Sequence, residues 1–269
     1  MKISVIIPTY KPQAYLWECL DSLVSQTFPK EDFEVILVLN GCTEPWKSQI
    51  EEYIKKNKGR INVNLIHTKE GGVSNARNIA FQTAIGEYVT FIDDDDYVSP
   101  MYLECLLESA NKSCVTVSDS LSFIDGTSIM IKEYEGHKVY KDRLGKANTI
   151  NTLKFFFQGP VRKLMHRSIL EGRKFDVSLS NGEDSLYMFL VSDRINEVKL
   201  TAPEAVYYRR LRDNSANFRK QTLSAIVKNR LYLIKEYTRI YFSHPFRYNA
   251  LFYLTRVLGS LNTIIRNII

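Results

Sequence analysis

Four consecutive aspartates, Asp93-Asp94-Asp95-Asp96, follow directly on an apolar run, Glu87-Tyr-Val-Thr-Phe-Ile92. Adjacent carboxylates repel one another, and crowding them at the end of a buried strand raises that cost. A fold that accepts this sequence must therefore open at the carboxyl end of that strand, either to water or to a counter-ion. A solvated acidic turn meets the first condition. A hard divalent cation, Mg²⁺ or Mn²⁺, meets the second, because such ions prefer oxygen ligands and commonly hold a phosphate-bearing ligand. The strand-end position favours the ligand reading, since open α/β sheets bind ligands outside the carboxyl ends of their strands.

The remaining pattern is that of an α/β protein. Apolar runs Ile3–Ile7, Phe33–Leu39, Val63–Ile66, Glu87–Ile92 and Val115–Val117 read as buried strands. Between them lie helical patterns over Ala14–Ser25, Trp46–Lys56, a stretch opened by Gly71-Gly72 and stopped by Gly86, and Tyr102–Ala110 after Pro100. The first helix carries Leu16, Cys19, Leu20 and Leu23 on one face. Strands alternating with helices at this spacing predict βαβ units, right-handed crossovers and a mostly parallel sheet. Residues 120–150 are polar, with a turn at Asp125-Gly126, and predict a loop or hairpin able to act as a lid. From Thr152 the pattern predicts helix again.

Length admits one large α/β domain or a domain plus an appendage, and the hydrophobic and charged shares are those of a globular chain. The net charge of +6 is unevenly spread. From Val206 onward twelve cations face two anions, so the part holding the acidic run is net negative. Cys19, Cys42, Cys105 and Cys114 have no metal-ligand spacing and are expected to be reduced thiols of a cytoplasmic protein. No secretory signal and no run of 18 uncharged apolar residues is visible.

Strand ends at Pro8-Thr9-Tyr10, Asn40-Gly41 and Asp93–Asp96 are expected on one rim of the sheet. They would offer a nucleotide a hydroxyl and a ring, an amide, and carboxylates. Gly72 and Ser74 open a helix whose free amides favour an anion, and Arg77 lies one turn in, as either a ligand contact or an ion pair to an acidic neighbour. Downstream, Glu183-Asp184 precede the apolar stretch Leu186–Leu190. Acidic residues suit a helix start for dipole reasons alone, and a general base facing the acidic run is the alternative.

Taken in order, Ser4-Val-Ile-Ile-Pro-Thr-Tyr10, Gly72-Val-Ser-Asn-Ala-Arg-Asn78, Gly86–Asp96, Lys163-Leu-Met-His-Arg167, Gly182-Glu-Asp184 and Tyr207-Tyr-Arg-Arg210 resemble the family 2 glycosyltransferases of the GT-A fold. The resemblance covers about residues 1–215. It implies a Rossmann-like, mostly parallel sheet flanked by helices, and metal-dependent, inverting transfer of a sugar from a nucleotide diphosphate donor, a UDP-sugar. By the same resemblance Asp93 meets the nucleoside or its ribose, and Asp95, with Asp93, holds Mn²⁺ or Mg²⁺. Asp94 and Asp96 would stand behind the metal or touch the donor sugar. Pro8, Thr9 and Tyr10 line the base pocket. Asp184 is the catalytic base beside Glu183. Arg210, with Arg209 and Arg212 nearby, falls where cations meet the diphosphate. One position departs from the family pattern: Asn40 stands where an acidic residue is usual, which leaves the nucleobase open.

On this reading residues 1–216 form the glycosyltransferase domain, with a nucleotide-binding part over about 1–120 and an acceptor and catalytic part over about 121–216. Residues 217–269 are basic amphipathic helices broken at His244-Pro245, with Leu251, Leu254, Leu258, Leu261, Ile265 and Ile268 in one stripe. That stripe predicts packing on the domain, pairing with a second protomer, or docking on the anionic inner face of the cell membrane. A membrane contact would suit a glycan or lipid-linked acceptor in surface polysaccharide synthesis. No nucleic-acid-binding module is present. Two other functions compete. A sugar-1-phosphate nucleotidyltransferase would need a Gly-rich basic loop after the first strand, where Pro8-Thr-Tyr-Lys-Pro12 stands. A binding subunit without turnover would explain Asn40 but not the acidic run with Asp184.

Overall fold

A computed structural model of the chain describes residues 1–127, 129–131, 135–212 and 222–268. The first half runs β1 (Ile3–Thr9), α1 (Tyr15–Val24), β2 (Phe33–Asn40), α2 (Trp46–Lys56), β3 (Val63–Thr68), α3 (Val73–Thr83), β4 (Tyr88–Phe91), β5 (Tyr97–Val98), α4 (Tyr102–Glu108) and β6 (Cys114–Val117). It continues through β7 (Asp119–Ile124), β8 (Met130–Ile131), α5 (Glu135–Arg143), β9 (Lys163–His166), α6 (Arg167–Leu170), α7 (Glu183–Leu190), β10 (Glu197–Leu200), β11 (Val206–Leu211), α8 (Leu223–Ser243) and α9 (Ala250–Ile268). The expected 216/217 boundary falls outside the described residues.

Seven strands form the main sheet in the order β10-β6-β9-β4-β1-β2-β3, and a second sheet has the order β5-β11-β7-β8. In the main sheet β1 pairs in parallel with β2 and β4, β2 with β3, and β6 with β10. The near-continuous apolar runs follow from burial on both faces. Along β1, Ile6 packs into one layer with Ile36, Val38 and Val89, while Val5 and Ile7 pack into the other with Val35, Leu37 and Leu20 of α1. That alternation is the two-residue period of a strand.

Two segments differ from the sequence expectation. The helix expected from Thr152 comes late: Lys154–Gln158 is a short 3₁₀ turn, Lys163–His166 is an antiparallel strand between β4 and β6, and α-helix returns only at α6 and α7. Four residues carry too little periodicity to separate strand from helix, and pairing on both edges decides the matter. The Lys163 ammonium is fully buried and donates to the carbonyls of Gly159 (2.6 Å) and Val161 (3.0 Å); burial pushes its pKa well below the usual lysine range. The 120–150 region does contain a hairpin, β7 with β8 around Asp125-Gly126, and it adds the helix α5.

The C-terminal helices break at His244-Pro245 as expected, and both reach the domain. Leu233, Tyr237 and Ile240 of α8 and Phe252 of α9 join the core layer that contains α7. The face of α9 that packs is not the predicted stripe: Phe252 and Ser260 are buried, whereas all six stripe residues are exposed.

Candidate active site

β1, β2 and β4 are neighbours, and their carboxyl ends finish side by side at Thr9, Asn40 and Phe91. The chain then turns so that Asp93, Asp94 and Asp95 face a cleft of about 800 Å³. Two backbones cross closely beneath it. Gly41 has φ +68°, and a Cβ there would lie 2.9 Å from the Gly71 Cα, so this crossing requires glycine. The Asn40 amide fixes the same corner, donating to the Thr9 carbonyl (2.8 Å) and accepting from the Gly72 amide at the start of α3 (2.9 Å). An aspartate could accept but not donate. Asn40 therefore lines the cleft while both ends of its amide serve the backbone.

Asp184 enters from the opposite wall, in the first turn of α7, and Arg77 joins the two walls. Its guanidinium is 2% exposed and donates to Asp184 at 2.6 Å and to Asp93 at 2.9 Å, lying 5.4 Å from the Phe175 ring, which stacks on Tyr187. The carboxylates hold the Arg77 pKa above its usual value despite burial. α8 braces α7 from behind. Ser185 meets the Tyr237 hydroxyl at 2.9 Å, Asn229 donates to the Asn181 carbonyl, and Gly182, at φ +87°, leaves room for Leu233.

Electrostatically the cleft is short of positive charge. Burial pushes the Asp94 pKa up to about 7, opposed by a 2.5 Å hydrogen bond from the Thr9 hydroxyl and aided by Asp95 and Asp93. Burial and Asp93 raise Asp95 as well, although Arg212 pairs with it. Burial raises Asp184 against the pull of Arg77, and burial with Asp184 raises Glu183. An oxygen-only donor set with surplus negative charge fits a hard cation. Among the described residues no three His, Cys, Asp or Glu side chains gather closely enough to enclose one unaided. That is the pattern of an ion held by one or two carboxylates together with substrate phosphate and water. Asp95 and Asp93 would hold it, with Arg212 and Arg77 as the cations it competes against.

Most expected residues meet in this cleft: Pro8, Thr9, Tyr10, Asn40, Gly72, Arg77, Asp93, Asp94, Asp95, Glu183 and Asp184. Ser74 does not. It is buried in the first turn of α3, and its hydroxyl has no hydrogen-bond partner among the described residues. Arg210 does not either. Within β11 it lies behind the acidic run, where it donates to Glu18 (2.6 Å), Asp125 (2.7 Å) and the Asp95 carbonyl (2.8 Å). Arg212, just past the end of β11, lines the cleft in its place and lies 4.5 Å from the Tyr15 ring. Asp96 also turns back, accepting from the Tyr207 hydroxyl (2.7 Å) and the Arg210 amide (2.8 Å). Tyr15 and Lys69 line the cleft without having been singled out. Lys69 follows the end of β3, so the strand-end rule that selected Asn40 also reaches it. No spacing signal marks Tyr15.

The described helices include none long and apolar enough to cross a membrane. Comparison with known proteins agrees with the architecture. A poly(ribitol-phosphate) beta-N-acetylglucosaminyltransferase, TarS of Staphylococcus aureus, is 29% identical over 224 residues, covering 79% of this chain and 36% of its own length. A poly(ribitol-phosphate) beta-glucosyltransferase of Bacillus spizizenii is 31% identical over 219 residues, covering 79% and 33%. The chain thus spans about a third of the length of these curated relatives. The crystal structure of S. aureus TarS 1–349 with UDP-GlcNAc superposes with a TM-score of 0.71 at 21% identity, over 98% of this chain and 72% of that one, a likeness of GT-A fold. The profile of glycosyl transferase family 2 matches residues 4–173, more than half the chain. With the strand-end carboxylates and the order of motifs, this match places the chain in glycosyl transferase family 2.

Proposed function

We propose that the chain transfers a sugar, with inversion, from a nucleoside diphosphate sugar, a UDP-sugar, to a hydroxyl of a glycan or lipid-linked acceptor in surface polysaccharide synthesis. The observation that carries this reading is the Asp93–Arg77–Asp184 bridge. It ties the donor-side carboxylates to a carboxylate on the facing wall within one cleft. The names of the poly(ribitol-phosphate) relatives support a polymer as acceptor, and the UDP-GlcNAc in the TarS crystal structure supports a UDP-linked donor.

In this reading Pro8, Thr9 and Tyr10 flank the nucleobase, and Asp93 faces the ribose. Asp95 and Asp93 would hold Mn²⁺ or Mg²⁺, which when bound would supply positive charge against the departing diphosphate. Arg212 adds a second positive charge at the same wall. Asp184 takes the proton of the acceptor hydroxyl as that oxygen attacks the anomeric carbon from the face opposite the diphosphate. Arg77 fixes the orientation of Asp184 and limits how far burial raises its pKa. Because Asp184 acts as the unprotonated carboxylate, transfer declines as pH falls through that raised pKa.

A screen of nucleoside diphosphate sugars by thermal shift, with and without Mn²⁺, followed by transfer assays on the stabilising donor, tests the proposal. A metal-dependent shift with one donor and slow metal-dependent donor hydrolysis is expected. Donor binding with no hydrolysis or transfer would instead favour a binding subunit, and formation of a nucleotide sugar from a nucleoside triphosphate would favour a nucleotidyltransferase.

A further inference from the structure

We infer that the outward face of α9, with the turn that precedes it, is a docking surface for an anionic lipid bilayer. Leu251, Leu254, Leu258, Leu261, Ile265 and Ile268 follow one another at steps of three and four residues and are each 40–62% exposed. The opposite face already serves the domain: Phe252 and Ser260 are buried, and Arg256 donates to the Phe157 carbonyl at 2.7 Å. The stripe is thus not a core face that failed to pack. Six exposed apolar side chains in one row are on the order of the largest apolar patch a monomer carries, about 300–600 Å², and such a patch is often functional.

The occupant follows from the charge and from the turn. From Thr222 to the end of the sequence five exposed cations, Lys228, Lys235, Arg239, Arg247 and Arg266, stand against one anion, Glu236, and α9 carries no acidic residue. Two such hairpins paired about a two-fold axis would bring like charges together. An anionic leaflet complements them instead. At the turn Phe246 is fully exposed and Phe242 is 65% exposed, with exposed Arg247 beside Phe246. Aromatic and basic side chains together at one end of an apolar stripe suit the boundary between headgroups and acyl chains. A 19-residue helix docked along one face lies in the membrane plane and does not cross it. The proposal is independent of the transferase reading, although a lipid-linked acceptor would be reached from such a position.

Flotation of the full chain with phosphatidylcholine vesicles, with and without phosphatidylglycerol, tests this directly. Binding is expected with phosphatidylglycerol, weakening with added salt. The double variant L254Q/L258Q changes only exposed side chains and should lose binding at least tenfold at unchanged circular dichroism and unchanged donor-induced thermal shift. Neutralising exposed cations with K235Q and R247Q should cost about fivefold each. The proposal is overturned if the wild-type chain stays with the unbound fraction on anionic vesicles, or if L254Q/L258Q binds as the wild type does. It is also overturned if sedimentation reveals a dimer that L254Q/L258Q dissolves while vesicles capture neither form.

Discussion

The acidic run has a front and a back, and both are built on the same principle. In front, Arg77 clasps Asp93 and Asp184 across the cleft. Behind, Arg210 clasps Glu18 and Asp125, while Asp96 is held by the Tyr207 hydroxyl and the Arg210 amide. Each side is one nearly buried guanidinium bridging two carboxylates. They differ in what remains unsatisfied. The front leaves Asp94 at a pKa of about 7 and Asp95 and Asp184 raised, a surplus of desolvated negative charge facing an 800 Å³ opening. At the back, burial pushes the Asp96 pKa well above its usual value too, but both its oxygens are hydrogen-bonded and it lies outside the cleft. Surplus charge at an opening is a binding feature, whereas satisfied charge behind a strand is a structural one.

The contrast breaks most directly at Asp184. In Asp184→Asn, transfer should fall about 10²–10⁴-fold, the range of general-base help, with donor affinity changed less than about threefold. Transfer kinetics beside calorimetric donor titration check this, and near-normal transfer would remove Asp184 from the role. Arg210→Met tests the other side. The two carboxylates it leaves behind are half-exposed, so solvent screening holds the cost to about 1 kcal/mol, and the melting temperature should drop on the order of 2–4 °C while the donor KM stays within about threefold. If Arg210→Met instead raises KM at unchanged stability, the division into front and back is wrong.

Arg77→Gln sharpens the front alone. The attraction of Arg77 opposes the effect of burial on Asp184, so its removal should move the acid limb of the transfer profile to higher pH. An unmoved limb would mean that Asp184 does not set it. The smallest effect is expected at Asp176, far from this contrast. Burial works to raise this carboxylate, but hydrogen bonds from Ser178 and Tyr232 outweigh it and hold the pKa below the usual value. A depressed folded pKa contributes stability above the unfolded pKa near 4, which is lost as pH falls through the folded value. Asp176→Asn should therefore cost about 1 kcal/mol at pH 7 and flatten the loss of stability below about pH 4, as read by urea unfolding across pH.

Arg210 and Arg212 mark how far the sequence could be read. Both were visible as cations in and just after the motif Tyr207-Tyr-Arg-Arg210, and only the fold separates them: Arg210 is still within β11 and is held by Glu18 and Asp125, whereas β11 ends at Leu211 and leaves Arg212 in the cleft. Asn40 makes the same point. Its place at a strand end was evident, but its bonds to Thr9 and Gly72 depend on two other elements meeting there. The stripe on α9 was equally plain, while the face that would pack was not, because Phe252 gains its burial against Phe189 of α7 and Phe157 of the 154–158 turn rather than from its spacing.

The sequence by itself determined the buried strands, the helix of Leu16 and Leu23, the strand-end carboxylates and the family to which they belong. These rest on local periodicity and on residue chemistry confined to a few neighbouring positions. Only the tertiary structure decided that Lys163–His166 is an inner antiparallel strand, that Asp96 faces backward, and that Arg77 joins Asp93 to a carboxylate 107 residues from its own position. Those outcomes depend on which chain segments become neighbours, and hydrogen bonding and desolvation act between neighbours in space.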